Sequence, residues 1–181
     1  WLVGNGLAVL GERSDAVLAW WFAFLVLTIA AERLEMTRLT PRKPGSVAAF
    51  HAIVALLLAG AAASSAWPAA GGGLYGTALA LLALWLMRFD IARHTVRAAG
   101  LSRYMAICLL GGYAWLLLAG IAWMALAQGL PVRDVALHAL GLGFVLSMVM
   151  GHAPVILPAV ARVKLRFGWP FYLPLALLHL T

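Results

Sequence analysis

The residues with the most chemical potential in this sequence are histidines that stand inside long apolar segments. Four of the five histidines do so, and His94 belongs to a polar stretch. An ionisable side chain is costly inside a bilayer, so each one there points to a function. Imidazole is a common ligand of haem iron and of copper. We therefore predict haem or copper as a cofactor, with His138 and His152 as metal ligands and a wider cofactor-binding set of His51, His138, His152 and His179.

Two of these histidines share one face of a predicted helix. His138 and His152 are 14 residues apart, which places them within about 40° of each other and about 21 Å apart along a helix axis. Di-haem cytochrome b helices use a similar spacing, and glycines on the same stripe, such as Gly141, would leave room for a flat macrocycle. A second helix with a matching pair is absent, so a complete two-haem site is not predicted.

The predicted depth of each histidine in the membrane suggests a different grouping. Counted from the neighbouring basic segments, His51, His152 and His179 lie about 10, 15 and 16 Å into the membrane. They could therefore converge on one metal ion or one haem, whereas His138 would lie near the opposite surface. The alternative for each histidine is a hydrogen bond to a carbonyl, serine or tyrosine of a neighbouring helix.

Other polar positions allow two interpretations each. Pro154 and Pro158 follow His152 closely and free backbone carbonyls in a helix, which fits either a binding site or a simple kink beside a hydrogen-bonded histidine. The acidic and basic residues that close the first long apolar segment favour an ion-pair cluster at the membrane surface, with a route for protons as the alternative: Glu32, Arg33 and Glu35.

The composition explains why lipid is the expected solvent. Hydrophobic residues make up 65% of the 181 residues and charged residues only 10%, with a mean hydropathy of +0.97. A soluble domain of this length needs a far more polar surface. The single Cys108 lies in an apolar segment, which excludes an internal disulfide. We predict an all-α, polytopic transmembrane bundle without a nucleic-acid partner.

Long apolar segments predict about six spans, with a possible partial span at Trp1–Leu10. Both ends of the chain resemble cuts through membrane segments. We therefore expect residues 1–181 to form a single transmembrane domain that is part of a longer chain. The predicted spans are Ala16–Ala31, Val47–Trp67, Leu74–Met87, Tyr104–Ala127, Val135–Ala161 and Trp169–Thr181.

Basic residues alternate between the two sides of this predicted bundle. Eleven of the thirteen lie in residues 32–46, 88–103 and 162–168. Lysine and arginine accumulate on the cytoplasmic side of membrane proteins, so these three segments are predicted to be cytoplasmic. The stretch Phe89–Ser102, which contains Arg93, His94 and Arg97, is either a short amphipathic surface helix or a plain loop.

Two stretches carry a resemblance to a known family. The segments RHTVRAAGLSRYMAICLLGGYAWLLLAG (Arg93–Gly120) and HALGLGFVLSMVMGHAPVILPAV (His138–Val160) resemble the NnrS-type membrane proteins. That family is polytopic, contains haem and copper, and is linked to bacterial responses to nitric oxide. The resemblance implies a bacterial cytoplasmic membrane and candidate ligand roles for His138 and His152. The sequence departs from the family after Gly151-His152, where Ala153-Pro154 replaces a Thr-Gly-Arg-like continuation.

These features lead to one functional hypothesis and one alternative from a different class. The hypothesis is a polytopic membrane protein that binds haem or copper through intramembrane histidines, and whether it is an enzyme stays open. The alternative is a non-catalytic subunit of a larger respiratory or photosynthetic membrane complex, with other membrane subunits as partners. A transporter ranks third, because broken helices suit one but the apolar segments show no buried charge.

Overall fold

The fold was determined as a computed structural model that describes residues 1–11, 14–37, 44–162 and 166–180. Five basic residues of the charge pattern lie outside these ranges: Arg13, Arg38, Arg42, Lys43 and Lys164. Within the described residues the chain is helical and contains no strand. The predicted all-α bundle is confirmed.

The helices follow one another with short connections. In chain order they are α1 (Leu2–Val9), α2 (Ser14–Met36), α3 (Ser46–Ala66), α4 (Pro68–Phe89), α5 (Ala92–Thr95), α6 (Gly100–Ala127), α7 (Arg133–His138), α8 (Ser147–Ala161) and α9 (Tyr172–Leu180). A π-helical segment, Ala139–Leu146, joins α7 to α8 into one continuous rod, and a 3₁₀ turn, Trp169–Phe171, leads into α9.

Five helices are long and apolar enough to cross a membrane, which makes this an integral membrane protein by length and composition. They are Asp15–Met36, Ser46–Ala66, Pro68–Phe89, Gly100–Ala127 and Arg133–Ala161. The sixth predicted span appears as a shorter apolar helix, Trp169–Leu180. A spanning helix needs about 20 residues, so the structure supports five of the six predicted spans by length.

The third span begins earlier than the sequence predicts. The predicted span begins at Leu74, but in the structure Pro68 occupies the first turn of α4 and only Trp67 separates α3 from α4. Proline suits the first turn because no intrahelical donor is needed there. The glycines that follow lower the helix propensity, yet they let α4 approach α3, since a Cβ at Gly71 would lie 2.3 Å from the Ser64 nitrogen.

The centre of the bundle is the seam between α4 and α6. Small residues let the two backbones meet: a Cβ at Gly120 would lie 2.6 Å from the Ala80 nitrogen, and one at Gly76 would lie 2.6 Å from the Gly120 oxygen. Close approach of this kind is how membrane helices gain dispersion contacts without a hydrophobic driving force. The fully buried side chains of this seam are Tyr75, Leu79, Leu82, Leu86, Tyr113 and Leu116.

The segment between α4 and α6 contains a single helical turn. Ala92 of α5 is fully buried, and Asp90 immediately precedes that turn. The two predictions for this segment, a surface helix or a plain loop, are both too simple, because its first residues fold back into the bundle. At one end of the bundle α2, α4 and α8 finish and α6 begins. We call this the basic end.

Candidate functional site at the basic end of the bundle

Three of the four candidate histidines bond to a carbonyl of their own helix, and for His51 and His138 this is the hydrogen bond that the structure shows. The Nδ1 atom of His51 lies 2.8 Å from the Val47 oxygen, and Nδ1 of His138 lies 2.8 Å from the Asp134 oxygen. Both side chains are exposed. His51 lies near the start of α3, and His138 lies near the start of the continuous helix formed by α7, the π-helical segment and α8. Each contact is an ordinary histidine-to-carbonyl hydrogen bond, so the geometry gives these two residues no shared role.

His179 bonds to a side chain of a different helix, α6. Trp115 donates its indole N–H to Nδ1 of His179 over 2.6 Å, and the two rings are nearly parallel. Since Nδ1 accepts, Nε2 must carry the proton in the neutral ring, and that buried nitrogen has no hydrogen-bond partner among the described residues. It faces Gly111, where a Cβ would lie 3.1 Å away.

His152 has the richest surroundings of the four. Its Nδ1 lies 2.6 Å from the Met148 oxygen, and its Nε2 lies 3.1 Å from Nη2 of Arg33. The carbonyl can only accept and the guanidinium can only donate. The neutral tautomer with the proton on Nδ1 satisfies both contacts, because Nε2 then accepts from Arg33.

Arg33 connects His152 to an acid on its own helix. The same Nη2 atom donates to Oε1 of Glu32 over 2.7 Å, and this oxygen lies 3.4 Å from Nε2 of His152. The Arg33 side chain is 5% exposed, whereas that of Glu32 is 51% exposed. The ion pair predicted at the end of the first span is therefore present, but its arginine lies inside the bundle.

Asp90 adds a second acid to this end of the bundle. It caps the end of α4 and is 1% exposed, and its Oδ1 accepts the Ala92 backbone N–H over 2.7 Å. Burial raises the pKa of Asp90, while the Ala92 hydrogen bond, the Arg33 charge and the nearby Tyr113 hydroxyl lower it less strongly, and His152 lowers it only in its protonated form. The Tyr113 hydroxyl is close enough to act on the carboxyl group, although neither it nor Oδ2 makes a hydrogen bond of normal geometry.

We call these five residues the buried polar cluster: Glu32, Arg33, Asp90, Tyr113 and His152. Three buried polar atoms within it have no hydrogen-bond partner in the described chain, namely Arg33 Nε, Asp90 Oδ2 and the Tyr113 hydroxyl. Buried polar groups are normally paired, often through an internal water. The three atoms make this cluster the candidate functional site of the described chain.

The sequence interpretation missed Asp90 and Tyr113. Asp90 was assigned to a basic surface segment, yet it is the only acid in residues 88–103, and a lone acid that directly follows an apolar run was an available signal. Tyr113 had no signal, because a tyrosine in an apolar helix is ordinarily a packing residue. Arg33 also supplies a buried charge and Asp90 a buried ionisable group, whereas the sequence interpretation ranked a transporter low for lack of buried charge.

A groove connects the cluster to the side of the bundle. It has a volume of about 430 Å³ and lies between α2 and α8, beside the Arg33–His152 contact that joins these two helices. Glu32 and His152 are its polar residues, and the remaining wall is apolar: Ile29, Met148, Val149, Ala153, Ile156 and Leu157. The groove therefore opens toward the surface that lipid would cover and ends at the buried polar cluster.

The described residues contain no group of three or more His, Cys, Asp or Glu side chains that could hold a metal ion. At Gly141, where the sequence predicts room for a macrocycle, an added Cβ would meet the Phe22 ring at 3.7 Å. The haem or copper hypothesis therefore stays a prediction.

The backbone beside His152 carries two kinds of irregularity. Pro154 and Pro158 lie inside α8, which continues as an α-helix past both. The stronger departure lies before His152, in the π-helical segment Ala139–Leu146. Such segments occur frequently at functional sites, so the fifth span combines a wide helix, two prolines and the histidine of the cluster.

These features define the class of the protein: a polytopic α-helical membrane protein with an ionisable cluster inside one end of its bundle. The chain belongs to the family described as Domain of unknown function (DUF8744), whose model matches residues 1–181. Comparison with curated proteins and with solved structures finds no match. The resemblance to the NnrS-type proteins stays a prediction.

Proposed function

We propose that this protein binds a hydrophobic small molecule with a hydroxyl headgroup, which enters the groove between α2 and α8 from the bilayer. The observation that carries the proposal is the groove itself. It is apolar, has a volume of about 430 Å³, and has Glu32 and His152 as its polar residues. Ligand sites are typically apolar concavities with a few polar groups that fix orientation.

The headgroup class follows from the donors and acceptors at the inner end of the groove. Nδ1–H of His152 is used by Met148 and Nε2 is used by Arg33, so the ring offers no free donor. Glu32 is half exposed, and both of its cluster contacts use Oε1, whereas a carboxylate has about four lone-pair sites. The groove thus presents an acceptor, which selects a headgroup that donates, such as a phenol or a quinol.

The site lies in the membrane with the basic end toward the cytoplasm. Of the described arginines, Arg88, Arg93, Arg97, Arg103, Arg162 and Arg166 belong to this end. The proposed cytoplasmic segments are 32–46, 88–103 and 162–168. A hydroxyl amphiphile in the groove would then have its headgroup in the cytoplasmic half of the bilayer.

A photolabelling experiment tests the binding proposal. The protein in lipid nanodiscs is irradiated with an alkylphenol that bears a diazirine, and labelled peptides are mapped by mass spectrometry. We expect labels on α2 and α8, competed by 4-nonylphenol but not by its methyl ether, which lacks the donor. Even labelling of all lipid-facing helices, or equal competition by the ether, would overturn the proposal.

Two matched variants on α8 sharpen this test. Ala153→Trp places an indole in the groove and should abolish competed labelling, whereas Val160→Trp is outside the groove wall, at a position that is 78% exposed, and should leave it unchanged. Glu32→Gln should weaken competition by 4-nonylphenol about 10-fold, since a hydrogen bond to a charged group contributes roughly 1.5–3 kcal/mol.

Haem or copper binding remains the competing proposal, and the position of His152 on the groove wall beside Met148 is what favours it. The described residues would offer one histidine, so a second ligand would have to come from outside this set. An optical spectrum and metal analysis of the purified protein decide the matter, because bound haem gives a Soret band and bound copper is stoichiometric. The absence of both would remove this candidate.

The non-catalytic subunit is the remaining alternative. Its support is the large apolar surface of α8, where Val149, Val155, Ile156 and Leu157 are each about half exposed, although lipid covers such a surface equally well. Native mass spectrometry of the protein extracted gently from its own membrane tests it. A stable monomer would argue against this alternative, and a defined larger complex would support it.

A further inference from the structure

We propose that the buried polar cluster is a proton-binding site, and that Asp90 holds one exchangeable proton at neutral pH while Glu32 and Arg33 stay ionised. This inference does not depend on the groove ligand, because it follows from the charges and hydrogen bonds of the cluster alone. Failure of the photolabelling experiment would leave it intact.

The first step is the charge balance of the cluster. The groups that face Asp90 from the helices packed around it are Arg33 of α2, Tyr113 of α6 and His152 of α8, and Glu32 acts on Tyr113 in turn. Two carboxylates, one guanidinium and a neutral imidazole leave one negative charge without a partner. An uncompensated charge is costly where water is excluded, and the usual outcome is that one group binds a proton.

The second step identifies the group that takes the proton. A proton on Nε2 of His152 would gain only a 3.4 Å contact with Glu32 Oε1, and it would place an N–H against the Arg33 N–H at 3.1 Å and break that shorter contact. Glu32 is half exposed to solvent and already pairs with the guanidinium over 2.7 Å. Asp90 is 1% exposed and its Oδ2 has no partner, so the proton is least costly there.

The third step concerns the unpartnered atoms. A protonated Oδ2 becomes a donor, and the Tyr113 hydroxyl can accept from it or exchange donor and acceptor roles with it. A small shift would then pair Asp90 Oδ2 with the Tyr113 hydroxyl, which already lies close enough to act on the carboxyl group. The deprotonated carboxyl group would accept from Tyr113 instead, so the same two atoms serve both states and the proton can exchange.

Infrared spectroscopy of the protein in lipid bilayers tests this site. A protonated carboxyl group gives a C=O stretch well separated from the carboxylate bands, and the band shifts in D₂O if the proton exchanges. At neutral pH we expect such a band in the wild type and in Asp134→Asn, a control at an exposed acid, and its loss in Asp90→Asn. Persistence of the band in Asp90→Asn would overturn the proposal, and so would its absence from the wild type.

The Glu32→Gln variant shows whether Asp90 keeps its proton because of the charge balance of the cluster or because of burial alone. This variant leaves Asp90 and Arg33 as the only formal charges of the cluster, so Asp90 should release its proton and the band should disappear at neutral pH. If the band remains in Glu32→Gln, the proton is held by burial alone and the shared charge balance is wrong. Circular dichroism of each variant establishes that the helical fold is retained.

Discussion

Arg33 and Arg133 make the same kind of contact in opposite surroundings. Arg33 bonds to Glu32 and His152 while it is almost fully buried. Arg133 donates from Nε to Oδ1 of Asp15 over 2.8 Å, with 42% of the arginine side chain and 41% of the aspartate side chain exposed. Local surroundings, and not residue type, therefore decide how much each arginine contributes.

We expect Arg33→Gln to lower the free energy of unfolding by ~3 kcal/mol, because breaking a buried charge pair leaves the other charges without compensation. The matched change Arg133→Gln should cost under about 1 kcal/mol, since exposed pairs contribute little. Unfolding in mixed micelles of increasing SDS fraction measures both. Equal losses in the two variants would show that Arg33 is not a stabilising buried charge.

Asp90 should give the protein a pH-dependent stability with a defined sign. Its pKa is raised in the folded state by burial, so its contribution is fully present below the unfolded pKa of about 4 and is lost as pH rises through the folded pKa. Asp90→Asn keeps an oxygen that accepts the Ala92 N–H and cannot titrate. Its melting temperature should therefore fall less than that of the wild type as pH rises.

Melting curves in detergent at several pH values measure this difference, with Asp134→Asn as the control. Asp134 lies in the first turn of α7 and is exposed, so its replacement should leave the slope of the wild type unchanged. A wild type and an Asp90→Asn variant with identical slopes would contradict the expected contribution of Asp90.

The elements show how small residues set the positions of helices. Gly120 of α6 and Gly73 of α4 are both helical glycines, but an added Cβ at Gly120 would meet the backbone of Ala80 and Gly76, whereas nothing lies within 4 Å of one at Gly73. The first glycine is required by close approach of two helices. The second only lowers helix propensity.

Gly120→Ala should destabilise the bundle by about 1–3 kcal/mol, because the clash involves backbone that cannot rotate away. Gly73→Ala should be neutral or stabilise by up to about 1 kcal/mol through helix propensity. The same SDS titration compares them. Since the α4–α6 seam also carries Tyr113 and leads to Asp90, loss of the infrared carboxyl band in Gly120→Ala would show that the seam positions the buried polar cluster.

At the scale of the whole molecule, the distribution of arginine predicts the orientation in the membrane. Ala98 and Gln128 lie in exposed connections at opposite ends of α6. In a Cys108→Ala background, Gln128→Cys should react with a membrane-impermeant maleimide in intact cells. Ala98→Cys should react only after permeabilisation, and the reverse pattern would place the basic end outside.

The general form of this molecule could be read from its sequence because each span is a local property. A run of about 20 apolar residues and the basic residues around it act on lipid and water directly, so their effect needs no knowledge of the rest of the chain. This explains why the α-helical bundle and its five long spans were predicted, with boundaries close to those of Ser46–Ala66 and Arg133–Ala161. The early start of α4 at Pro68 was not predicted, because the glycines of this stretch have a low helix propensity. Packing against neighbouring helices stabilises the turn that they form.

The site itself was decided by tertiary structure. Arg33 and His152 are 119 residues apart, and the contact between them depends on how α2 and α8 are rotated and inclined relative to each other, which close packing at small residues fixes. The sequence singled out His152 but placed it with other histidines, whereas the fold placed it with Arg33, Glu32, Asp90 and Tyr113. Local pattern determines that a helix enters the membrane, and only the packing of several helices determines which polar groups meet inside it.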